Sequence, residues 1–542
     1  MKLNEQALQE KAFWQAKQIA LPQFDREQVI RQTRNEPTWV HFGPGNIFRA
    51  HIAMLQQSLL EHGDSDRGII AVAPNNDEII HKIYRPHDNL SLFVRLNLNK
   101  PADRIVVGSV AESLGSTPDS SDWQRLKEIF SSASLQIVSL TVTEKGYLLK
   151  DAKGQWLPKV EADLVQGNRM PQSFAGKLAA LLQQRYCQGA VPVTMLSLDN
   201  CSHNGDVLRH MLEGFVMELQ RRHGGDSGFL AYLQQHVSYP WSMIDKITPR
   251  PAESVAQQLR ELGLEDMDLV KSRRGGWYSP FVNAEELEYL VVEDNFANGR
   301  PLLEKAGVIF TQRDTVDKAE RMKVSTCLNP LHTALAIFGC LLGYKSIATE
   351  MQDLDLHHLV EYIGYAEGMP VVTDPGVINP RRFLSQCLTQ RFPNRDIPDT
   401  PQRIACDTSQ KLPVRFGNTL KAYAADEKLQ AESLRAIPLV FAGWLRYLLG
   451  IDDKGQKFTV SADPLLPELQ ARLQNLHLRY EGPVHDYVKD ILSDSSIFGC
   501  DLYKIGLGRV TEDYFQAMLA GTGRVRQILA EFHRETKKEA VA

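Results

Sequence analysis

Cysteine is sparse, and it is not arranged in pairs. The chain has seven, at positions 187, 201, 327, 340, 387, 406 and 500, scattered and odd in number. No Cys-x-x-Cys occurs, which argues against a disulfide framework or a structural zinc site, and no metal is expected. Long apolar runs are also missing. None reaches the ~18 residues of a membrane span, and the nearest, 333–344, is too short. The N-terminus, MKLNEQALQEKAFWQAKQ, is polar and amphipathic and lacks the apolar core of a signal peptide, so a reducing cytoplasm is expected. Charge of one sign is absent too: 61 Lys and Arg face 66 Asp and Glu, a net −5. With the two signs interspersed, neither a nucleic acid nor an anionic membrane is an expected partner. There is no internal repeat and no low-complexity tract.

What remains is an ordinary globular composition, 43% hydrophobic and 23% charged, over 542 residues. That length suits two or three domains. Residues 1–35 read as a helical extension. Short β-branched and aromatic runs then alternate with helical stretches: Trp39–Phe42, Gly68–Ala73, Ile105–Gly108, Ile137–Val142 and Val191–Ser197. Several are apolar throughout, as expected of strands covered on both faces, so residues 36–300 are expected to form a doubly wound, largely parallel sheet. From 301 to 542 helical periodicity dominates, with helices expected over 318–344, 349–366, 430–450, 465–479, 484–493 and 511–534.

The first strand ends in His41-Phe-Gly43-Pro-Gly45-Asn-Ile47-Phe48-Arg49-Ala50-His51 and runs into a helix. Two glycines there would let backbone N–H groups approach a pyrophosphate at the helix N-terminus. The usual third glycine is Phe48, so the general fingerprint is half met, and a plain tight turn is the competing reading. After the second strand comes Pro74-Asn-Asn-Asp77-Glu78, without Arg or Lys to accept a 2′-phosphate, which favours NAD over NADP. Which side chain meets the ribose stays open. Polar clusters follow later strands: Thr143-Glu144-Lys145-Gly146, Asp199-Asn200, and Asp245-Lys246. Asp199 and Asn204 read equally well as caps or Asx turns.

The most informative run is Glu320-Arg-Met-Lys323-Val-Ser-Thr-Cys-Leu-Asn329-Pro330-Leu-His332. It offers a proton carrier, an amide and an imidazole. Alcohol–ketone redox chemistry without a metal needs such a set: a base for the hydroxyl proton, hydrogen bonds for the developing oxyanion, and an orienting group. Free lysine, near ~10.4, is a poor base at neutral pH, so the role requires burial or neighbouring cations.

Together these motifs resemble the polyol-specific long-chain dehydrogenase/reductase family, which includes mannitol 2-dehydrogenase, fructuronate reductase and tagaturonate reductase. The likeness spans nearly all of the chain beyond residue 37 and includes Asp245-Lys-Ile-Thr-Pro249, Glu293-Asp-Asn-Phe296, Ser409-Gln-Lys411-Leu-Pro413 and Asp463-Pro-Leu-Leu-Pro467. Cys327-Leu-Asn-Pro-Leu-His332 is most similar to the fructuronate reductase branch. The resemblance implies an α/β Rossmann-type dinucleotide-binding domain followed by a mainly α-helical C-terminal domain, with zinc-independent hydride transfer in the cleft between them. It implies Lys323 as acid/base, Asn200 and Asn329 on the reacting oxygen, and His332 orienting the carbonyl. Asp245, Arg403 and Lys411 would line the substrate site, and Glu320 would relay protons to solvent. Gly43, Gly45, Ile47, Phe48, Arg49, Thr143 and Glu144 would hold NAD. The expected substrate pair is D-fructuronate and D-mannonate. Fructose/mannitol, tagaturonate, and a non-catalytic NAD- or sugar-binding sensor are the alternatives, and the oligomeric state is open.

One feature departs from the family pattern. Other members place four residues between the lysine and the asparagine, whereas this chain has five. At ~100° per residue, a straight helix would set Lys323 and His332 about 180° apart. Pro330 lacks the N–H that would bond to Thr326, and its ring crowds that carbonyl. A one-residue π-bulge or kink between Val324 and Leu328 is therefore expected to bring Lys323 back round.

Overall fold

The computed structural model describes residues 1–273 and 275–541. They form two compact units, Met1–Asp317 and Lys318 onward, the division falling within the helix Arg313–Met322.

The first unit is organised around six parallel strands: β1 (Trp39–Phe42), β2 (Ile69–Val72), β3 (Val110–Leu114), β4 (Ile137–Leu140), β5 (Val193–Ser197) and β6 (Val237–Ser238). Their spatial order is β3-β2-β1-β4-β5-β6, the doubly wound dinucleotide-binding arrangement. The period-2 alternation of a strand sorts their side chains onto two faces. Val40, Phe42, Ile70, Val72, Val138 and Leu140 pack with Leu126, Leu178, Leu182 and Phe215 on one face. Trp39, Ile69, Ala71 and Ile137 pack with Phe48, Ile52, Leu55 and Leu59 on the other. Burial on both faces explains why β1, β2, β4 and β5 read as largely apolar runs.

Two expectations are corrected. Ile105–Gly108 does not enter this sheet. Residues 105–107 lie in the strand Asp103–Val107, which pairs antiparallel with Ser91–Leu96 in a separate four-stranded sheet. The edge of the parallel sheet is instead β3, whose polar Glu112 is buried and salt-bridged to Arg125 at 3.4 Å. An edge position tolerates such a residue where a central one would not. Residues 1–35, expected to be helical, also contribute Ile19–Ala20, which runs parallel to Arg104–Ile105 in the four-stranded sheet. A third sheet joins Ser242–Asp245, Tyr289–Glu293 and Ile309–Thr311.

The second unit is built of helices around Asn329–Leu342 and Ala436–Leu448, both almost wholly buried. Gly443 allows their close approach, since a Cβ there would lie 2.7 Å from Phe338 Cζ. The run Arg313–Leu342 is long and apolar enough to cross a membrane, but 83% of its most apolar window is buried within the protein, as in a core helix. The expected helix 511–534 is two, Gly508–Leu519 and Arg524–Val541, parted at Gly521 and Gly523, both at positive φ.

Candidate active site

The turn after β1 depends on Gly43. It sits at φ +105°, and a Cβ there would lie 2.1 Å from the Thr141 carbonyl oxygen. Its N–H donates to Val72 O at 3.0 Å, and its own carbonyl accepts from Thr141 Oγ1 at 2.9 Å. A Cβ on Gly45 would meet nothing within 4 Å, so the backbone there borders open space. A helical run opens at Asn46. The first N–H groups of a helix have no intrahelical acceptors, and this is what holds a pyrophosphate in such folds. The residues therefore fit a dinucleotide: Gly45 leaves room for it, and the N–H groups of Asn46 and Ile47 stand at the helix opening.

Phe48 and Arg49 turn their side chains into the protein, which leaves their backbone to border the turn. Phe48 is fully buried, stacked on His41 with ring centroids 4.4 Å apart. Arg49 is equally buried, donating from Nη1 to Ser279 O at 2.7 Å and from Nη2 to Asn46 Oδ1 at 3.2 Å. Both brace the turn from inside. His41 bridges Ser139 Oγ (2.7 Å) and Thr141 Oγ1 (2.9 Å), and complete burial drives its pKa down to about 3, so the ring is neutral.

The loop after β4 is held by Asp199. Its carboxylate accepts from the N–H groups of Val142 and Thr143, both at 2.9 Å, and from Tyr147 Oη at 2.6 Å. These bonds secure Thr143 at φ +68°, ψ 161°, a conformation that side chains other than glycine seldom adopt. Thr143 and Glu144 are exposed on this loop, and Asn200 is exposed just beyond β5. The glycine turn, the Thr143–Glu144 loop and Asn200 thus share the carboxyl edge of the sheet beside its β1/β4 switch point, where open α/β sheets bind ligands. Asp245 is buried at the end of its strand, and the adjacent Lys246 pairs with Glu288 at 2.5 Å.

In the second unit, Lys323–Cys327 is a π-helical turn. The Leu328 N–H reaches back five residues to Lys323 O at 3.1 Å, and the regular helix restarts at Asn329. Pro330 occupies the opening of that helix, where a missing N–H costs nothing. The wide turn absorbs the extra residue of the Lys–Asn spacing, as expected. Lys323 on this turn is 7% exposed. The turn is pinned from outside: Ser325 Oγ donates to Val414 O (3.1 Å), while Asn418 Nδ2 (2.9 Å) and Thr419 Oγ1 (3.2 Å) donate to Ser325.

His332 Nε2 lies 3.2 Å from Asp399 Oδ2. Burial lowers the imidazole pKa despite that carboxylate, while Asp399 is held below the usual range by His332 and Arg403 against the opposing effect of burial. A neutral ring bonded this way carries its proton on Nε2, leaving Nδ1 a lone pair that accepts a hydrogen bond. The expectation that His332 orients a carbonyl is therefore refined: this tautomer suits a substrate hydroxyl. Arg403 pairs with the other Asp399 oxygen and its side chain is 66% exposed. Lys411 donates to the Ile404 carbonyl (3.2 Å) and to that of Cys406; burial first, then Arg415, lowers its pKa. Glu320 is half-buried one turn before Lys323.

Sequence reasoning missed two residues here. Asp399 lies in a Pro-rich loop that carries no catalytic signal. Arg415 did carry one, since it stands four residues after Lys411 on the helix Thr408–Arg415 and so shares its face. Among the described residues, no group of three or more His, Cys, Asp or Glu side chains is placed to hold a metal ion.

A parallel sheet in this order with a glycine turn at its switch point, and a buried lysine, amide and carboxylate-bound imidazole on one helical run, define a dinucleotide-dependent oxidoreductase. Residues 37–305 match the family model described as the mannitol dehydrogenase Rossmann domain, and 315–515 match the mannitol dehydrogenase C-terminal domain. The chain belongs to the mannitol dehydrogenase family and is an NAD-dependent oxidoreductase. It is 47% identical to a D-mannonate oxidoreductase of Thermotoga maritima, over 98% of this chain and 99% of that protein. It is 31% identical to the Escherichia coli D-mannonate oxidoreductase, over 92% and 95%. The solved Pseudomonas fluorescens mannitol 2-dehydrogenase, a ternary complex with NAD and D-mannitol, aligns with a TM-score of 0.73 at 27% identity, covering 99% of this chain and 100% of that one.

Proposed function

We propose that the protein interconverts D-fructuronate and D-mannonate, with the cytoplasm as its setting. The observation that carries this reading is the end-to-end 47% identity to a protein named for D-mannonate. When bound, NAD(H) supplies or accepts the hydride at its nicotinamide C4. In reduction, the Lys323 ammonium gives its proton to the substrate oxygen, and Asn329 and Asn200 hydrogen-bond that oxygen as negative charge develops. In oxidation, neutral Lys323 takes the hydroxyl proton and Glu320 passes it toward solvent. His332, its tautomer set by Asp399, accepts from a neighbouring sugar hydroxyl and holds the chain in place, while Asp245 and Lys411 bind further hydroxyls.

A neutral fructose/mannitol pair is the second reading, favoured by the full-length likeness to the mannitol 2-dehydrogenase complex. A non-catalytic sensor rested on the extra residue before Asn329 alone, and the π turn removes that support. The test is NADH oxidation with D-fructuronate, D-tagaturonate and D-fructose. We expect the highest kcat/KM with fructuronate; equal or better turnover of fructose would refute the substrate assignment. Lys323→Ala should lower kcat by orders of magnitude while NADH still binds, and near-normal turnover would remove Lys323 as the acid/base.

A further inference from the structure

We propose that Arg415 is the residue that recognises the carboxylate of the sugar acid and so sets the preference for a keto-uronate over a neutral ketose. The inference rests on the substrate reading above and deepens it.

Arg415 ends the helix Thr408–Arg415, and its neighbour Val414 accepts from Ser325 of the π turn that carries Lys323. Its Nη1 donates to Thr333 Oγ1 at 2.6 Å, and Thr333 directly follows His332. Thr333 Oγ1 in turn donates to Asn329 O at 2.9 Å. The guanidinium is thereby fixed beside both residues expected to touch substrate. Its positive charge bears on His332 and on Lys411, lowering the pKa of each.

No counter-charge accompanies it. Burial alone lowers Arg415 to about 10, and among the described residues it has no carboxylate partner. The other two cations of the cluster are differently engaged. Arg403 is mostly exposed and paired with Asp399, and Lys411 is bound to backbone carbonyls. An arginine half-buried against a second cation is destabilised unless an anion completes it. Guanidinium is also the group best shaped for a planar carboxylate, which it can grip through two parallel N–H donors. Two oxygens of a sugar-acid carboxylate would supply the missing charge, and a neutral ketose would leave it unmet. Arg415 lies one helical turn beyond Lys411, one of the two cations expected to line the substrate site.

The experiment compares kcat/KM for D-fructuronate with that for D-fructose in wild type, R415Q and R415K. The fructuronate-to-fructose ratio should fall about 100-fold in R415Q, mainly through KM, as expected on losing a charge-assisted carboxylate contact. R415K, which keeps the charge without the fork, should recover part of it. A ratio unchanged in R415Q, with both substrates lost alike, overturns the inference and leaves the substrate reading standing. A wild type that prefers fructose overturns the substrate reading, and this inference with it. Should R415Q fail to fold by circular dichroism, R415K decides: a ratio lowered about tenfold supports the assignment, and an unaltered ratio refutes it.

Discussion

Replacing Asp399 with asparagine exchanges one carboxylate oxygen for NH2 at nearly constant volume and should reverse the tautomer of His332. In the native chain the carboxylate accepts on both oxygens, from His332 Nε2 at 3.2 Å and from Arg403. An amide keeps only one acceptor. Arg403 can only donate, so the amide oxygen turns to it and the NH2 group faces Nε2. Nε2 must then be the lone pair, which moves the proton to Nδ1. A nitrogen that would have accepted from a sugar hydroxyl now presents N–H to it. The hydrogen bond lost is one from a sugar hydroxyl to a neutral ring nitrogen, worth about 0.5–1.5 kcal/mol, so kcat/KM should fall roughly 2- to 12-fold. The carboxylate is also the influence that raises the His332 pKa against burial, Arg415 and Arg403. Without it, any limb of the pH profile that belongs to His332 should shift to lower pH. The assay is steady-state NADH oxidation across a pH series, with the ring tautomer read from ¹⁵N shifts and NADH affinity as the control. Wild-type kcat/KM with an unmoved acid limb in D399N would refute the reasoning. So would a loss accounted for wholly by a lowered melting temperature.

Gly43→Ala would place a methyl group 2.1 Å from the Thr141 carbonyl oxygen at φ +105°. It should destabilise the first unit by about 2–4 kcal/mol and weaken NADH binding; unchanged urea unfolding would contradict that geometry. Acid should destabilise the same unit through His41 and His51, which burial lowers from 6.5 to about 3 and about 4. The unfolded chain binds those protons first, so their contribution is fully present above the unfolded value and is lost as pH falls below it. Each should cost roughly 3 kcal/mol by about pH 4. Urea unfolding that stays flat between neutral pH and about pH 4.5 would exclude this linkage.

The sequence by itself determined what local chemistry can encode. Strands buried on both faces must be largely apolar, so β1, β2, β4 and β5 were legible. A turn that only glycine can make marks the start of the cofactor loop. Even the π turn followed from counting, because five residues before Asn329 and a proline at 330 leave a straight helix no way to face Lys323 and His332 together. The tertiary structure alone decided which distant groups meet. Val110–Leu114 reads as polar, yet it closes the parallel sheet because Arg125 neutralises Glu112 at an edge. Residues 105–107 look like a core strand, yet they pair elsewhere, with residues 91–93 and Ala20. Asp399 carries no signal in its own loop and acquires its importance only by arriving at His332. Arg403 and Arg415 are the same residue type twelve positions apart, and only packing separates them. One is exposed and neutralised; the other is half-buried beside Lys411 with no carboxylate partner among the described residues, because burial and pairing depend on the whole chain rather than on its neighbours.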